Sequence, residues 1–296
     1  MVILAAGLTP AWQQILAFRR LRLGEVNRAE EVIGCASGKV LNVGCALHHL
    51  GTASHTLSPA GGTTGEMLRT DLAVLGVPAT WIETQSSIRI CTTLLDRSTG
   101  QTTELVENSA PLSAMELDAY RAKFVELAAR ARLIVISGSL PPGAPADFFA
   151  SLLTEVTVPV LLDLRGPELL ACLPRRPWLV KPNREELALT IGNPLATDDE
   201  LLTAMHELRA KGAEYVVVSD GPHAVWAAGP NGVDCLTPPR VSVVNPIGCG
   251  DCLAAGLAVA WSEGRSWADT LHFGLATAAE NARHLLPARF ARGSGW

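Results

Sequence analysis

Asn245-Pro246-Ile247-Gly248-Cys249-Gly250-Asp251 leads into a segment with apolar residues at 253, 254, 257, 258 and 261. Those positions trace one face of a helix over 251–262, so the stretch reads as a glycine-rich loop opening into a helix. Glycines at 248 and 250 let the backbone turn so that successive N–H groups point one way, and the positive end of the helix adds to them. Together they make an anion site. A carboxylate inside such a site is odd, since Asp251 competes with the anion. The oddity disappears if Asp251 accepts a hydroxyl proton while the N–H groups stabilise a transferring phosphoryl group. Capping of the helix is the plainer use of an aspartate there, and the rest of the chain has to decide between the two.

Upstream of this loop, short apolar runs alternate with helical patterns. Strands are expected at 2–6, 55–58, 80–83, 133–137, 158–163, 178–181 and 215–219, and helices at 41–50, 65–75, 113–131, 145–156, 183–191 and 198–211. Several runs are apolar on successive residues, as in strands covered on both faces of a parallel sheet. Ser113 and Glu116 have the spacing of a capping box, which starts a long helix. Such alternation predicts βαβ units and a doubly wound α/β fold, a mainly parallel sheet flanked by helices. Two regions interrupt it, 12–33 and 88–107. Segments 88–96 and 102–107 alternate in polarity around a turn at 97–100, and predict a small antiparallel sheet, which is either a lid over a site or an ordinary edge extension; periodicity does not separate the two. A hairpin over 223–228 and 233–236, a last helix over 267–285 and a frayed tail at 289–296 complete the pattern.

The chain has 296 residues and a formal charge of −5, with 48% hydrophobic and 18% charged residues. This excludes disorder and fibrous repeats, and at roughly 150 residues per domain it allows one or two domains. We expect one α/β domain over 1–296, its β-lid formed from about 12–33 and 88–107. The mild acidity argues against nucleic acid or an anionic membrane as the main partner. No apolar run approaches the roughly 18 residues that span a bilayer. Residues 1–7 lack the basic start of a signal peptide, and a cytoplasmic location is expected. Seven cysteines, an odd number, suit reduced thiols. Cys249-Gly-Asp-Cys252 has the spacing of a redox pair, but the flanking glycines and Asp251 point to the anion site instead.

Gly248-Cys249-Gly250-Asp251 is similar to the Gly-Ala-Gly-Asp signature of the ribokinase-like carbohydrate kinases of the phosphofructokinase-B group. The resemblance covers nearly the whole chain. Segments 24–28, Gly38-Lys39 with Leu41-Asn42-Val43, 136–143, Lys181-Pro182-Asn183 with Glu186, and 217–219 with Gly221 occur in the family's order and spacing. The Ser137-Gly-Ser-Leu-Pro-Pro-Gly143 run resembles most the branch of 1-phosphofructokinases and tagatose-6-phosphate kinases.

The resemblance implies a kinase that uses ATP and Mg²⁺ and phosphorylates a hydroxyl of a small phosphosugar, of the fructose 1-phosphate or tagatose 6-phosphate type. It implies Asp251 as the catalytic base and the N–H groups of Gly248, Cys249 and Gly250 as the anion hole. Asn183 and Glu186 match the family's Asn-x-x-Glu, which organises Mg²⁺ through water; oxygen ligands suit that ion. Lys181 would face phosphate, Ser219 and Gly221 would open the nucleotide loop, and Asn281 would line the adenine pocket. Gly38, Lys39, Asn42, Arg89 and Ser139 would hold the acceptor. A homodimer through the lid is common in the family, and the apolar Trp12 and Ile88 permit it.

The departures fall mainly on the acceptor side. Gln13 stands where the family has an aspartate that binds sugar hydroxyls, and an amide is neutral and half donor. Val40 replaces a glycine beside Lys39, and Ala224 replaces one in the nucleotide loop. Two other readings stay open on these grounds. One is a kinase of an unphosphorylated sugar or nucleoside; the other is a non-catalytic regulatory protein that binds a sugar phosphate or nucleotide.

Overall fold

Strands that are apolar at successive positions have to be covered on both faces, and the centre of this molecule is built that way. The computed structural model describes residues 1–290. Its main sheet takes β1 (Val2–Ala6), β4 (Ser54–Ala60), β5 (Ala79–Glu83), β8 (Ala131–Ser137), β9 (Val160–Asp163), β10 (Leu179–Val180), β11 (Tyr215–Val218), β12 (Val225–Gly229) and β13 (Gly232–Leu236). The strand order is β13-β12-β11-β10-β9-β8-β1-β4-β5. Every pair from β11 to β5 is parallel, and β12 and β13 close one edge as an antiparallel hairpin.

Neighbouring residues on one strand go to opposite cores, as strand geometry requires. Ile3, Val135 and Leu161 meet α1 (Lys39–His49), α8 (Cys249–Ser262) and α9 (Trp267–Ala282). Leu4, Ile134 and Leu162 meet α3 (Ala114–Ala128), α4 (Phe148–Leu152), α5 (Gly166–Cys172) and α7 (Asp198–Ala210). Helices α2 (Gly62–Leu75) and α6 (Arg184–Ile191) complete the set. The doubly wound arrangement is the one the alternation predicts. The Ser113–Glu116 capping box forms as expected, with Ser113 N–H donating to Glu116 at 2.6 Å.

The second sheet has the order β3-β2-β6-β7, from β2 (Ala11–Phe18), β3 (Glu31–Ser37), β6 (Ile90–Asp96) and β7 (Gln101–Val106). It is mixed rather than antiparallel, because the central β2–β6 pair is parallel. These two strands are separated by β3, α1, β4, α2 and β5, so no hairpin turn sets their direction. Trp12 and Ile88 do not offer an outer apolar face; they pack inward on the main core, and Trp12 lies across Gly34. The exposed apolar residues on this sheet are Val32, Leu105 and Val106.

Other differences are local. The helix expected over 145–156 is the short α4 followed by a 3-10 turn, Leu153–Glu155. Helix α5 carries too few residues for its period to be visible. The tail is anchored at its start: Arg289 pairs with Asp71 and Phe290 is buried, while 291–296 lie outside the described residues. Among the described residues no helix is long and apolar enough to cross a membrane.

Candidate active site

Open parallel sheets place ligands beyond the carboxyl ends of their strands, and the polar residues of this chain collect there. Ser137 closes β8, Asp163 closes β9, and Lys181 and Ser219 follow β10 and β11. The amino ends of α1, α6 and α8 bring Lys39, Glu186 and Asp251 to the same edge.

The loop before α8 is bracketed from behind. Gly248 takes φ 84°, and a Cβ there would sit 2.9 Å from Pro287, so only glycine fits without strain. Asn245 accepts from Ile247 N–H at 3.0 Å and donates to the Leu285 carbonyl at 2.8 Å. Asn281 donates to the Ile247 carbonyl at 2.8 Å and accepts from Ala288 N–H at 2.6 Å. Asn281 is fully buried and both ends of its amide are engaged, so it braces the loop and does not line an adenine pocket. The Cys249 N–H also departs from expectation. It donates to the Pro246 carbonyl at 3.3 Å, closing the turn that Gly248 allows. The N–H groups of Gly248 and Gly250 make no bond to another described residue. Two of the three amides of the expected anion site are therefore free, and the Asp251 N–H beside them is free as well.

Asp251 is 6% exposed. Its Oδ2 accepts from Asn42 Nδ2 at 2.7 Å, and Asn42 Oδ1 accepts from Ser37 Oγ at 3.0 Å. Asn42 thus holds Asp251, which is a different task from the sugar contact expected of it. Burial pushes the Asp251 carboxyl up to about 7, with the Asp163 charge adding to the rise and Lys39, the Asn42 bond and Lys181 opposing it. A base is most useful when it titrates near the working pH.

Asp163 has no place in the sequence reading, yet it joins the cluster together. Its Oδ1 meets Lys39 Nζ at 3.3 Å and Lys181 Nζ at 3.2 Å, and its Oδ2 accepts from Ser137 Oγ at 3.3 Å. Burial works to raise its carboxyl, but the two ammonium groups outweigh that and hold it below the ordinary range. The available signal was an aspartate closing the apolar run Val160-Leu-Leu-Asp163 at a strand's carboxyl end. Lys181 is buried, not solvated, and its Nζ is 3.5 Å from where a Cβ on Gly250 would stand. Lys39 Nζ reaches Glu186 at 2.8 Å as well. Burial disfavours its charge, but Asp163, Glu186 and Asp251 keep it protonated above the usual lysine range.

Asn183 and Glu186 form a capping box at the start of α6. Asn183 Oδ1 accepts from Glu186 N–H at 2.7 Å, and Glu186 Oε2 accepts from Asn183 N–H at 3.0 Å. Asn183 is turned to its own helix, and Glu186 alone reaches the charged cluster. Among the described residues no group of three or more His, Cys, Asp or Glu forms a metal cage. Mg²⁺ needs none, since it keeps several waters and takes one or two carboxylates plus phosphate oxygens; the Glu186 carboxylate fits that use. Gly221 lies in an exposed turn, and the charge of Asp220 beside it is met by Arg184 at 3.4 Å.

On the acceptor side, Gly38 takes φ 88° against Pro10 and Ala11, where a Cβ would come within 2.9 Å of the backbone. Gln13 is buried in β2 and donates to Thr93 Oγ1 at 2.6 Å. Arg89 Nε, Nη1 and Nη2 donate to the carbonyls of Pro10, Glu107 and Thr9 at 3.4, 3.2 and 3.1 Å. It ties the base of the small sheet and has two N–H donors left. Ser139 is half-buried just beyond β8. Val40 is helical and buried in the core, so its backbone needs no glycine. All seven cysteines are free thiols. Burial raises Cys249 and Cys252, the opposite of the low-pKa thiolate a redox pair needs.

A sequence model described as the pfkB family carbohydrate kinase matches residues 13–288. Phosphofructokinase-2 from Escherichia coli, solved with substrates and products, is 26% identical with a TM-score of 0.90, over 98% of this chain and 95% of that one. A possible 1-phosphofructokinase from Thermotoga maritima superposes with a TM-score of 0.88 at 21% identity, over 96% of this chain and 92% of that one. Ribokinase from the same organism gives 0.77 at 18% identity, over 99% and 97%. The last two likenesses are of fold.

Proposed function

The chain belongs to the pfkB family of carbohydrate kinases, and from that premise we propose that it moves the γ-phosphoryl group of ATP to a hydroxyl of a small phosphosugar, with Asp251 as base. The observation that carries this is the setting of Asp251: a buried carboxylate titrating at about 7, beside the unbonded N–H groups of Gly248 and Gly250. The acceptor hydroxyl gives its proton to Asp251 as its oxygen attacks phosphorus. Asn42 keeps the carboxylate aimed, and the Lys181 and Lys39 charges with the two amides offset the negative charge that develops. Glu186 would hold Mg²⁺ through water, and that ion when bound neutralises phosphate charge. Ser219 and Gly221 would border the nucleotide.

For the acceptor we infer fructose 1-phosphate or tagatose 6-phosphate. Fructose 6-phosphate joins them because the E. coli phosphofructokinase-2 has been solved in complex with it. Arg89, Ser139 and Lys39 would meet the sugar or its phosphate, and Gln13 the sugar hydroxyls once its bond to Thr93 opens. A single domain with the small sheet as its lid, working in the cytoplasm, accords with this reading. A homodimer would use Val32, Leu105 and Val106.

A coupled ADP-release screen across these three phosphosugars, their free sugars and nucleosides tests the reading. One phosphosugar should exceed all others in kcat/KM, and the rate should fall by about 10²–10⁴-fold in Asp251→Asn. A best substrate without phosphate would favour the unphosphorylated acceptor; binding without acceptor-dependent ADP would favour the regulatory protein.

A further inference from the structure

The opposite edge of the main sheet, where β9, β10 and β11 begin, holds a cavity of about 310 Å³. It is walled by residues 156–160, by 175–178, by Glu214 and by Trp261 in the last turn of α8. It shares no residue with the cluster around Asp251, which lies ten residues up the same helix, about 15 Å along its axis.

Three charged side chains on this wall, Arg175, Arg176 and Glu214, are exposed. None of them makes a side-chain hydrogen bond or ion pair to another described residue. Arg176 has φ 55°, a left-handed backbone that non-glycine residues seldom take. Trp178 is 4% exposed and stacks on Trp261 with ring centroids 4.7 Å apart. Its indole nitrogen is buried without a hydrogen-bond partner, although such groups are nearly always satisfied.

Guanidinium N–H groups only donate, whereas the Trp178 indole nitrogen has no exposed surface and stays out of a ligand's reach. A complementary ligand therefore brings acceptor oxygens and negative charge, and two guanidinium forks suit a carboxylate or phosphate head. Val156 and Trp261, both half-buried, offer apolar contact for its body. The volume lies at the lower end of small-molecule sites, roughly 300–1,000 Å³, which limits that body to a compact one. Glu214 on the same wall disfavours polyanions such as nucleoside triphosphates. We propose that this cavity is a binding site for a small organic anion, a carboxylate or phosphate on a compact apolar body, held by Arg175 and Arg176. The inference does not rest on the kinase reading.

Titration of the full chain with phenyl phosphate and with benzoate, read by calorimetry and tryptophan fluorescence, tests it. Saturable one-to-one binding of at least one anion is expected, with phenol silent; the tighter of the two identifies the head group. The Arg175→Gln/Arg176→Gln variant should weaken binding about tenfold or more, the loss expected for charge-assisted hydrogen bonds. Both side chains are exposed, so its circular dichroism should match the parent. Lys39→Gln and saturating ATP should leave the affinity unchanged. Trp261→Phe should damp the fluorescence response while calorimetric binding persists. No saturable binding of either anion, equal affinity in the double variant, or displacement by ATP would overturn the proposal.

Discussion

Asp251 and its neighbours are held by a different kind of structure from Gln13 and Arg89. Asp251 begins a run of ten buried residues in α8, and Asp163 ends, while Lys181 directly follows, a strand of the nine-stranded sheet. Gln13 and Arg89 sit in or at the foot of the four-stranded sheet, whose outer strand β7 is exposed at five of its six positions. Its own apolar cluster is only Ile15, Ala17 and Leu95, with Leu285 and Leu286 packed against it. A dense core fixes geometry, whereas a region with few buried contacts opens at low cost. On the proposed reading, the groups that must be in place before reaction stand on the first, and those that would admit and release a sugar stand on the second.

The sharpest way to break this contrast is Asp251→Asn. Loss of a general base lowers turnover by about 10²–10⁴-fold, while ATP affinity, measured calorimetrically, should persist. The same variant carries a stability signature. Because the folded carboxyl titrates at about 7, above its unfolded value, the folded state binds more protons over that interval. Wild-type stability therefore falls as pH rises from about 4 to 7. At pH 8 the asparagine variant should be more stable by an amount on the order of 4 kcal/mol, and the gain should vanish near pH 4 in urea titrations.

Next come Lys39→Met and Arg89→Met. If the acceptor carries a phosphate, KM should rise about tenfold or more; a free sugar would lose far less. Lys39→Met should also lower kcat, because Asp163 and Glu186 lose a partner, whereas Arg89→Met should act on KM alone. Equal effects on kcat would erase the distinction between the two regions.

Asn42→Ala sharpens the comparison from the rigid side. The Asn42 bond opposes the rise of the Asp251 carboxyl, so without it the acid limb of kcat/KM, centred at about 7 in the parent, should move to higher pH. Asp163→Asn should move it lower, since a like charge is gone. Both are read from pH–rate profiles. Val40→Gly should have the smallest catalytic effect. Restoring the family's glycine should leave KM unchanged and cost about 2–4 kcal/mol in stability, as a buried side chain and helix propensity are lost together.

Much of this was legible from residues alone, because the strands of a doubly wound sheet show as apolar runs and the loop before α8 announces itself by Gly248, Gly250 and Asp251. What escaped depends on contacts between distant positions. The Asn42–Asp251 bond joins residues 209 apart, and the β2–β6 pairing bridges five intervening elements. Neither leaves a local pattern. Asn281, expected at an adenine pocket, instead braces the loop before α8, because burial turns its amide inward. Asp163 was hidden by the opposite effect: it reads as the end of a strand, and only the convergence of Lys39 and Lys181 gives it a role.

The burial of α8 also bears on regiochemistry. A helix enclosed along ten residues cannot tilt without opening the core on both sides, so the spacing between Asp251 and the Gly248 and Gly250 amides is the same for every acceptor. If Asp251 is the base, which hydroxyl is phosphorylated depends on how the far end of the sugar is tethered, and a change of product isomer should be sought by altering Gln13, Arg89 and Ser139, the proposed tethers, rather than Asp251.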